Sequence, residues 1–381
     1  MYRYCLCIFF CCCLQSLSAQ ERNWTLNGYV KDMQLFYYVE PTDNWTDQNL
    51  VHNRLNFKWY PSSTVSVVAE VRNRFFWGEL VRDIPNYGRL IDQDKGYFDL
   101  STTIWESGGT LMHSMIDRMY LDYTLDKWQI RLGRQRINWG MNLIWNPNDL
   151  FNTYSYFDFD YEERPGTDAL KVQYYTSATS SLEVVYQLGE NADEMALASR
   201  YVFNKWNYDF QILGGYVEDD WVLGTGWAGD IVGAGFRGEL SWFVPRKSGK
   251  DEVVIASISG DYSFANQLYI HAGALLNSAG TTGRIFRTGL FTPGERSPQL
   301  LSAGKYALFG QLNYPFTPLF QGGLSGILNP SDESFFLSPS LSYSLVENLD
   351  LMFLGQLFFG NDFTEFGNIG QALYFRLKWS F

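Results

Sequence analysis

From Trp24 to its last residue this chain repeats one pattern, apolar side chains at every second position, in stretch after stretch. The cleanest stretch sets Leu337, Pro339, Leu341, Tyr343 and Leu345 against Ser338, Ser340, Ser342 and Ser344. The closing segment does the same, with Leu373, Phe375, Leu377, Trp379 and Phe381 on one side and Tyr374, Arg376, Lys378 and Ser380 on the other. A strand has a side-chain period of two, so each such stretch is a strand with one apolar and one polar face. The strongest helical alternative is Tyr306 to Ser331, which has no charged residue. Pro315, Pro318, Gly322 and Gly323 interrupt it, and the same residues read as two strands joined by a turn over Tyr314 to Pro318.

The alternation gives about 18 strand candidates, with clear ones at Leu55/Phe57/Trp59, Leu121/Tyr123/Leu125, Leu182/Val184/Tyr186 and Leu351/Phe353. Val222 to Phe243 is Gly-rich and reads either as one bulged hairpin or as two strands, so about 16 strands is the other count. The connections alternate in length. Short ones fall at Tyr60 to Thr64, Leu125 to Trp128, Thr176 to Ser181, Asn204 to Asn207, Asp230 to Ala234, Phe264 to Gln267, Tyr314 to Pro318 and Val346 to Asn348. Between them lie the long ones, Trp77 to Ser114, Asn138 to Gly166, Gly280 to Ser302 and Gly360 to Gly370. An all-β, antiparallel transmembrane β-barrel with short periplasmic turns and long extracellular loops has this rhythm.

Met1 to Ala19 carries one charge, Arg3, then an apolar run from Cys5 to Leu14 and the small residues Ser16, Ser18 and Ala19 before Gln20. That is the pattern of a cleaved secretory signal, too short to span a bilayer. Residues 1–19 are therefore read as a signal peptide and 20–381 as a single barrel domain. The 5 cysteines all lie in the leader, so no disulfide, thiol nucleophile or thiolate metal site is expected beyond it. With 41 acidic against 29 basic residues, the chain is a poor candidate for nucleic acid. Aromatics at 18% with a slightly negative mean hydropathy suit a barrel wall around a wet lumen.

Side-chain parity predicts the lumen lining. Its basic members are Lys31, Arg54, Lys58, Arg72, Arg74, Arg131, Lys171, Arg200, Arg237, Arg376 and Lys378; its acidic members are Glu70, Asp122, Glu183, Asp209, Glu239 and Asp261. Because the last strand of a barrel pairs with the first, Arg376 and Lys378 fall beside Lys31, Arg54 and Arg72 in one basic wall. Asn138 to Gly166 is the expected inward-folded constriction loop, with Asp149, Asp158, Asp160, Glu162 and Glu163 among its aromatics. A basic wall facing an acidic loop makes a transverse field that steers charged solutes. The plainer alternative is that the loop carboxylates are a solvated surface and the basic residues pair with inner acids. Aromatic girdles are expected at Trp24, Trp59, Tyr60, Trp128, Trp206, Phe316 and Trp379 on the inner rim. Tyr37, Phe75, Phe76, Trp77, Tyr216, Trp221 and Phe243 are expected on the outer rim.

The closing segment, ending flush on Phe381, resembles the final strand of bacterial outer-membrane barrels, which the barrel-assembly machinery reads. Gly133-Arg-Gln-Arg-Ile-Asn-Trp-Gly140 with Asn146-Pro-Asn-Asp149 resembles a signature of alginate-export-like porin families. Arg134 and Arg136 have the parity of lipid-facing Ile130 and Leu132, so a bulge at Gly133 or a position above the membrane is expected. The resemblance implies an outer-membrane porin, and the basic lining leads to the expectation of passive diffusion of small hydrophilic solutes, anions among the candidates. The rival is a surface glycan-binding or envelope-assembly barrel with an occluded lumen. Expected partners are outer-membrane lipid and lipopolysaccharide, the assembly machinery and a small solute or saccharide, with trimer against monomer open. His52, His113 and His271 are scattered, and neither a Gly-x-Ser-x-Gly elbow nor a His-Glu-x-x-His motif occurs, so no enzyme, metal or cofactor is expected.

Overall fold

Alternating residues become antiparallel strands along the whole chain in a computed structural model that describes residues 23–38, 44–92, 94, 96–153, 156–157, 163–191, 194–247, 249–285 and 297–381. The strands are β1 (Trp24–Tyr38), β2 (Trp45–Trp59), β3 (Val65–Trp77), β4 (Ser101–Ser107), β5 (Thr110–Leu125), β6 (Trp128–Gln135), β7 (Thr167–Ser177), β8 (Ser180–Gln187), β9 (Ala196–Lys205) and β10 (Tyr208–Val217). They continue as β11 (Asp220–Ile231), β12 (Ala234–Pro245), β13 (Val253–Ser263), β14 (Tyr269–Asn277), β15 (Tyr306–Thr317), β16 (Phe320–Asn329), β17 (Ser334–Val346), β18 (Leu349–Phe359) and β19 (Gln371–Ser380). Each pairs with the next, except that β3 passes β4 to pair with β5, and β19 pairs with β1 to close the barrel. Closure reaches the last residue, where Phe381 and Gly28 exchange backbone hydrogen bonds of 2.9 and 3.0 Å.

Eighteen of the strands form the closed wall. The Gly-rich segment resolves into two of them, β11 and β12, turning at Val232 and Gly233, which settles the count between 16 and 18. The nineteenth, β4, was not expected. It lies inside the predicted Trp77 to Ser114 loop and pairs with the outer half of β5, above the point where β6 stops. The same loop holds two short helices, α1 (Glu79–Asp83) and α2 (Tyr87–Ile91). No helix among the described residues is long and apolar enough to cross a membrane.

The predicted short turns all connect strands at one end, several on left-handed residues such as Asp126, Asn207 and Asn348. One boundary moves: β15 runs on through Pro315, and its turn is at Pro318 and Leu319. Outward positions hold the exposed Leu, Phe, Trp and Tyr series, the reverse of a soluble core and the mark of a wall that meets hydrocarbon. Three residues assigned to the outer girdle point the other way. Tyr37, Phe76 and Phe243 are buried inside, because loops fold back into the outer mouth and need apolar wall to pack on.

Candidate functional site

One line of paired residues crosses five strands on the lumen side. Lys378 of β19 stands opposite Lys31 of β1, Lys31 opposite His52 of β2, His52 opposite Arg74 of β3, and Arg74 opposite His113 of β5. Arg54 and Arg72 form the adjoining pair toward the inner end, and Lys58 lies further down β2. Arg376 sits two residues from Lys378, toward the outer end. Barrel closure joins the two ends of this row, by setting Lys378 of the last strand opposite Lys31 of the first. Tyr29 lies beside it, its ring 4.5 Å from Lys378 Nζ and 5.3 Å from that of Lys31.

The next line outward is apolar: Met33, Leu50, Phe76 and Leu111 pair in sequence above the basic row. With Leu35, Tyr374, and Leu80, Val81 and Tyr87 of the α1–α2 segment, they form a buried cluster that fills this side of the outer mouth. Tyr87 donates to Gln48 Oε1 at 2.7 Å, and His113 Nε2 lies 3.1 Å from Asp92 Oδ1, so the segment is tied to the wall by polar contacts too.

The described residues of Asn138 to Gly166 fold inward and dock on the opposite wall, β8 to β13. Glu239 is the loop's anchor. The carboxylate Oε1 accepts from the backbone N–H groups of Met141 and of Asn142, the latter at 2.7 Å, and Oε2 accepts from Asn148 N at 3.0 Å. Gln211 donates to Trp139 O at 2.8 Å, Ser241 to Pro147 O at 2.9 Å, and Asn148 Nδ2 to Thr225 O at 2.9 Å. The wall is thinned to receive the loop: a Cβ at Gly224 would lie 2.6 Å from Asn148 Oδ1. Trp139 inserts fully, donating from Nε1 to Glu183, with the Arg200 guanidinium 5.3 Å from its ring. Further along, Tyr156 and Phe157 pack on Phe309, Phe336 and Phe358.

The carboxylates expected in the constriction divide. Asp149 does not face the lumen: it is buried within the loop, Oδ1 accepting from Trp139 N at 3.3 Å, and burial pushes its carboxyl up to about 6. Glu163 lies 3.6 Å from Arg54 Nε, spanning from loop to basic wall. Asp158, Asp160 and Glu162 lie outside the described residues.

The basic lining divides as well. Arg131 binds Asp122 at 2.6 Å, Lys171 and Arg200 approach Glu183 at 3.4 and 3.7 Å, and Arg237 pairs with Asp261. For these the plainer reading, that they pair with inner acids, describes what the side chains touch. Arg54 has 0% exposure and binds Asp117 at 2.7 Å as well as Glu70. Lys58, Arg376 and Lys378 are partly exposed.

Asp117 and Arg118 were missed because a bulge in β5, opposite Glu70 and Val71, turns both inward and breaks the parity rule. At Gly133 the expected register change is absent. Its φ of 119° and the 2.3 Å from a would-be Cβ to Met119 O require glycine, yet β6 stays in step with β5 and β7. Arg134 accordingly keeps its outward parity. It is buried there by Asp168, at 3.0 and 2.7 Å, and by the chain from Asp94 to Phe98, which crosses over it. Gln135 turns inward and donates to Ala169 O at 3.0 Å.

A closed wall with an apolar exterior, a polar interior and an inward-docked loop defines a transmembrane β-barrel with a porin-like fold. The solved structures it resembles are porins of the OprD and Occ kind. Acinetobacter baumannii OccAB3 matches with a TM-score of 0.60 at 11% identity, over 94% of this chain and 99% of that one. Pseudomonas aeruginosa OprD matches with a TM-score of 0.60 at 8% identity, over 94% of each chain. A BenF-like porin from Pseudomonas fluorescens Pf-5 matches with a TM-score of 0.59 at 10% identity, over 94% and 98%. At these identities the likeness is one of fold. The fold is alike to that of OprD and Occ porins, and the alginate-export resemblance, carried by Gly133 to Gly140 with Asn146 to Asp149, is not supported by these neighbours. No family model and no curated protein matches the sequence.

Proposed function

We propose that this barrel is an outer-membrane porin through which small hydrophilic anions diffuse passively, without catalysis. The carrying observation is the row Lys378, Lys31, His52, Arg74, His113, flanked by Arg376, Arg54 and Arg72. Its lysines and arginines gather positive charge on one wall, while the loop anchored on Glu239 occupies the wall opposite. Charge concentrated on one side of a low-dielectric passage raises the local concentration of the opposite sign and orients a passing solute. Arg54 bonded to Asp117 and Glu70 holds part of this wall rigid, and the partly exposed Lys58, Arg376 and Lys378 meet the solute. The resemblance to OprD, Occ and BenF-like porins supports the same reading at the level of architecture.

The occluded-barrel reading has one observation in its favour, the apolar packing of Leu80, Val81 and Tyr87 against the outer half of the wall. Liposome swelling separates the two. Vesicles containing the purified barrel should swell faster in small organic anions than in cations or neutral solutes of equal size. Absence of swelling in all three would support occlusion instead.

A further inference from the structure

The exterior of a membrane barrel should be apolar, and on most strands it is: the outward series on β15 to β18 includes Leu308, Leu312, Leu324, Leu341 and Phe353. Apart from Arg134 and Asp168, which the overlying loop covers, one sector of the described wall departs from this. On β1, β2, β3 and β5 the outward positions include Asp32, Gln34, Asn53, Asn73 and Ser114, as register fixes. Asp32 stands opposite Leu377 and Val51, Gln34 opposite Phe375 and Asn49, and Asn53 opposite Val30 and Asn73, which stands opposite Ser114. Three hydrogen bonds run across the strands outside the wall. Ser114 Oγ donates to Asn73 Oδ1 at 2.7 Å, Asn73 Nδ2 to Asn53 Oδ1 at 3.3 Å, and Asn53 Nδ2 to Tyr29 O at 3.2 Å.

The row lies at hydrocarbon depth. Asn53 precedes the inner-rim Trp59 by six positions on β2, about 20 Å along a strand at ~3.3 Å per residue. With the usual tilt that is roughly 15 Å of height, inside an apolar band about 25 Å tall. Each amide nitrogen has two N–H groups, and the row uses one from each asparagine. Among the described residues the side chains of Asp32 and Gln34 make no hydrogen bond. Donors left over on β2 and β3, beside an acceptor-only carboxylate on β1, are costly against lipid. They are complementary to each other across two molecules.

We infer that the outward face of β1, β2, β3 and β5 is a protein interface within the membrane, and that its occupant is a second copy of this chain. Packing sector against sector brings the spare amide N–H groups of Asn53 and Asn73 to the partner's polar sector, where Asp32 and Gln34 supply acceptors. The flanking outward residues Val51, Val71 and Phe75 supply close-packed apolar contact around the polar centre. In hydrocarbon such packing and inter-chain hydrogen bonds, rather than a hydrophobic drive, hold surfaces together.

The chain has no cysteine beyond Cys13, so a single introduced thiol reports on its own site. Asn73→Cys and Gln34→Cys barrels, treated in membranes with a short bis-maleimide, should give a product of two chains. Wild type and Leu341→Cys, on the far wall, should remain single. A Asn53→Leu, Asn73→Leu double variant should keep the heat-modifiable mobility of a folded barrel while its detergent-solubilised mass falls to that of one chain. Folded Asn73→Cys and Gln34→Cys barrels that stay single, or that join only a polypeptide of different mass, would overturn the second-copy interface. Wild type already at the mass of one chain in native membrane particles would overturn it too. Should the double variant fail to fold, the cysteine variants decide.

Discussion

Arg134 and Asp168 face each other across the β6–β7 register on the outward side of the wall, bound at two points, 3.0 and 2.7 Å. Two charges on the lipid-facing parity persist because the chain crossing over them supplies a third and a fourth contact, Asp94 and the Phe98 carbonyl. The pair therefore fastens the long second loop to the barrel from outside, while α1 and α2 of the same loop enter the mouth. Removing one partner of a buried pair leaves the other uncompensated, which costs about 3–5 kcal/mol. Arg134→Met should free the strap, making the loop cleavable by trypsin at Arg82 or Arg89 on intact cells. Wild type should resist. Equal resistance in both would show that the outer contacts do not hold the loop.

Gly133→Ala should impair assembly of the barrel itself. The residue's φ of 119° and the 2.3 Å approach of a new Cβ to the Met119 carbonyl oxygen leave no space for a methyl group. Backbone strain of this kind costs on the order of 1–3 kcal/mol. The heat-modifiable band on electrophoresis should weaken for Gly133→Ala, with Gly310→Ala, where the added Cβ meets open space, as the folded control.

These two residues also mark the limit of what the sequence shows. Period-two alternation made strand positions and inner turns legible, because a barrel wall has only two faces and every residue must choose one. It could not show β4, or the inward turn of Asp117 and Arg118, since both depend on a bulge and a loop that breaks no local rule. Nor could it show that Glu239, one inner acid among several, is the anchor of the third loop, because that role belongs to backbone N–H groups about a hundred residues away. Tyr37, Phe76 and Phe243 looked like girdle residues because an inward aromatic near the rim has the same sequence signature as an outward one.

Glu239→Ala should loosen the third loop without unfolding the barrel. Three backbone N–H groups lose their acceptor, about 1–3 kcal/mol for each buried donor left unmet. Single-channel recordings should show larger and noisier conductance, and Glu239→Gln, which retains an acceptor oxygen, should lie between it and wild type. Unchanged noise in the alanine variant would remove Glu239 from this role.

The loop should also tighten in mild acid. The Asp149 carboxyl rises from 3.8 to about 6 when buried in the docked loop. The docked state therefore binds the proton more tightly than a released one. Its advantage is complete below the ordinary value and is lost as pH rises through about 6. Open-channel noise should fall between pH 7 and pH 5, values chosen to bracket that midpoint, and Asp149→Asn should reduce the dependence.

The basic wall should carry the selectivity of the passage. The direct test is the reversal potential of single channels under a KCl gradient, for wild type and for Lys58→Gln, Arg376→Gln and Lys378→Gln combined. Wild type should prefer chloride, and the triple variant should lose that preference while conducting at a similar level. A cation-selective wild type, or a chloride preference untouched by the three substitutions, would contradict it.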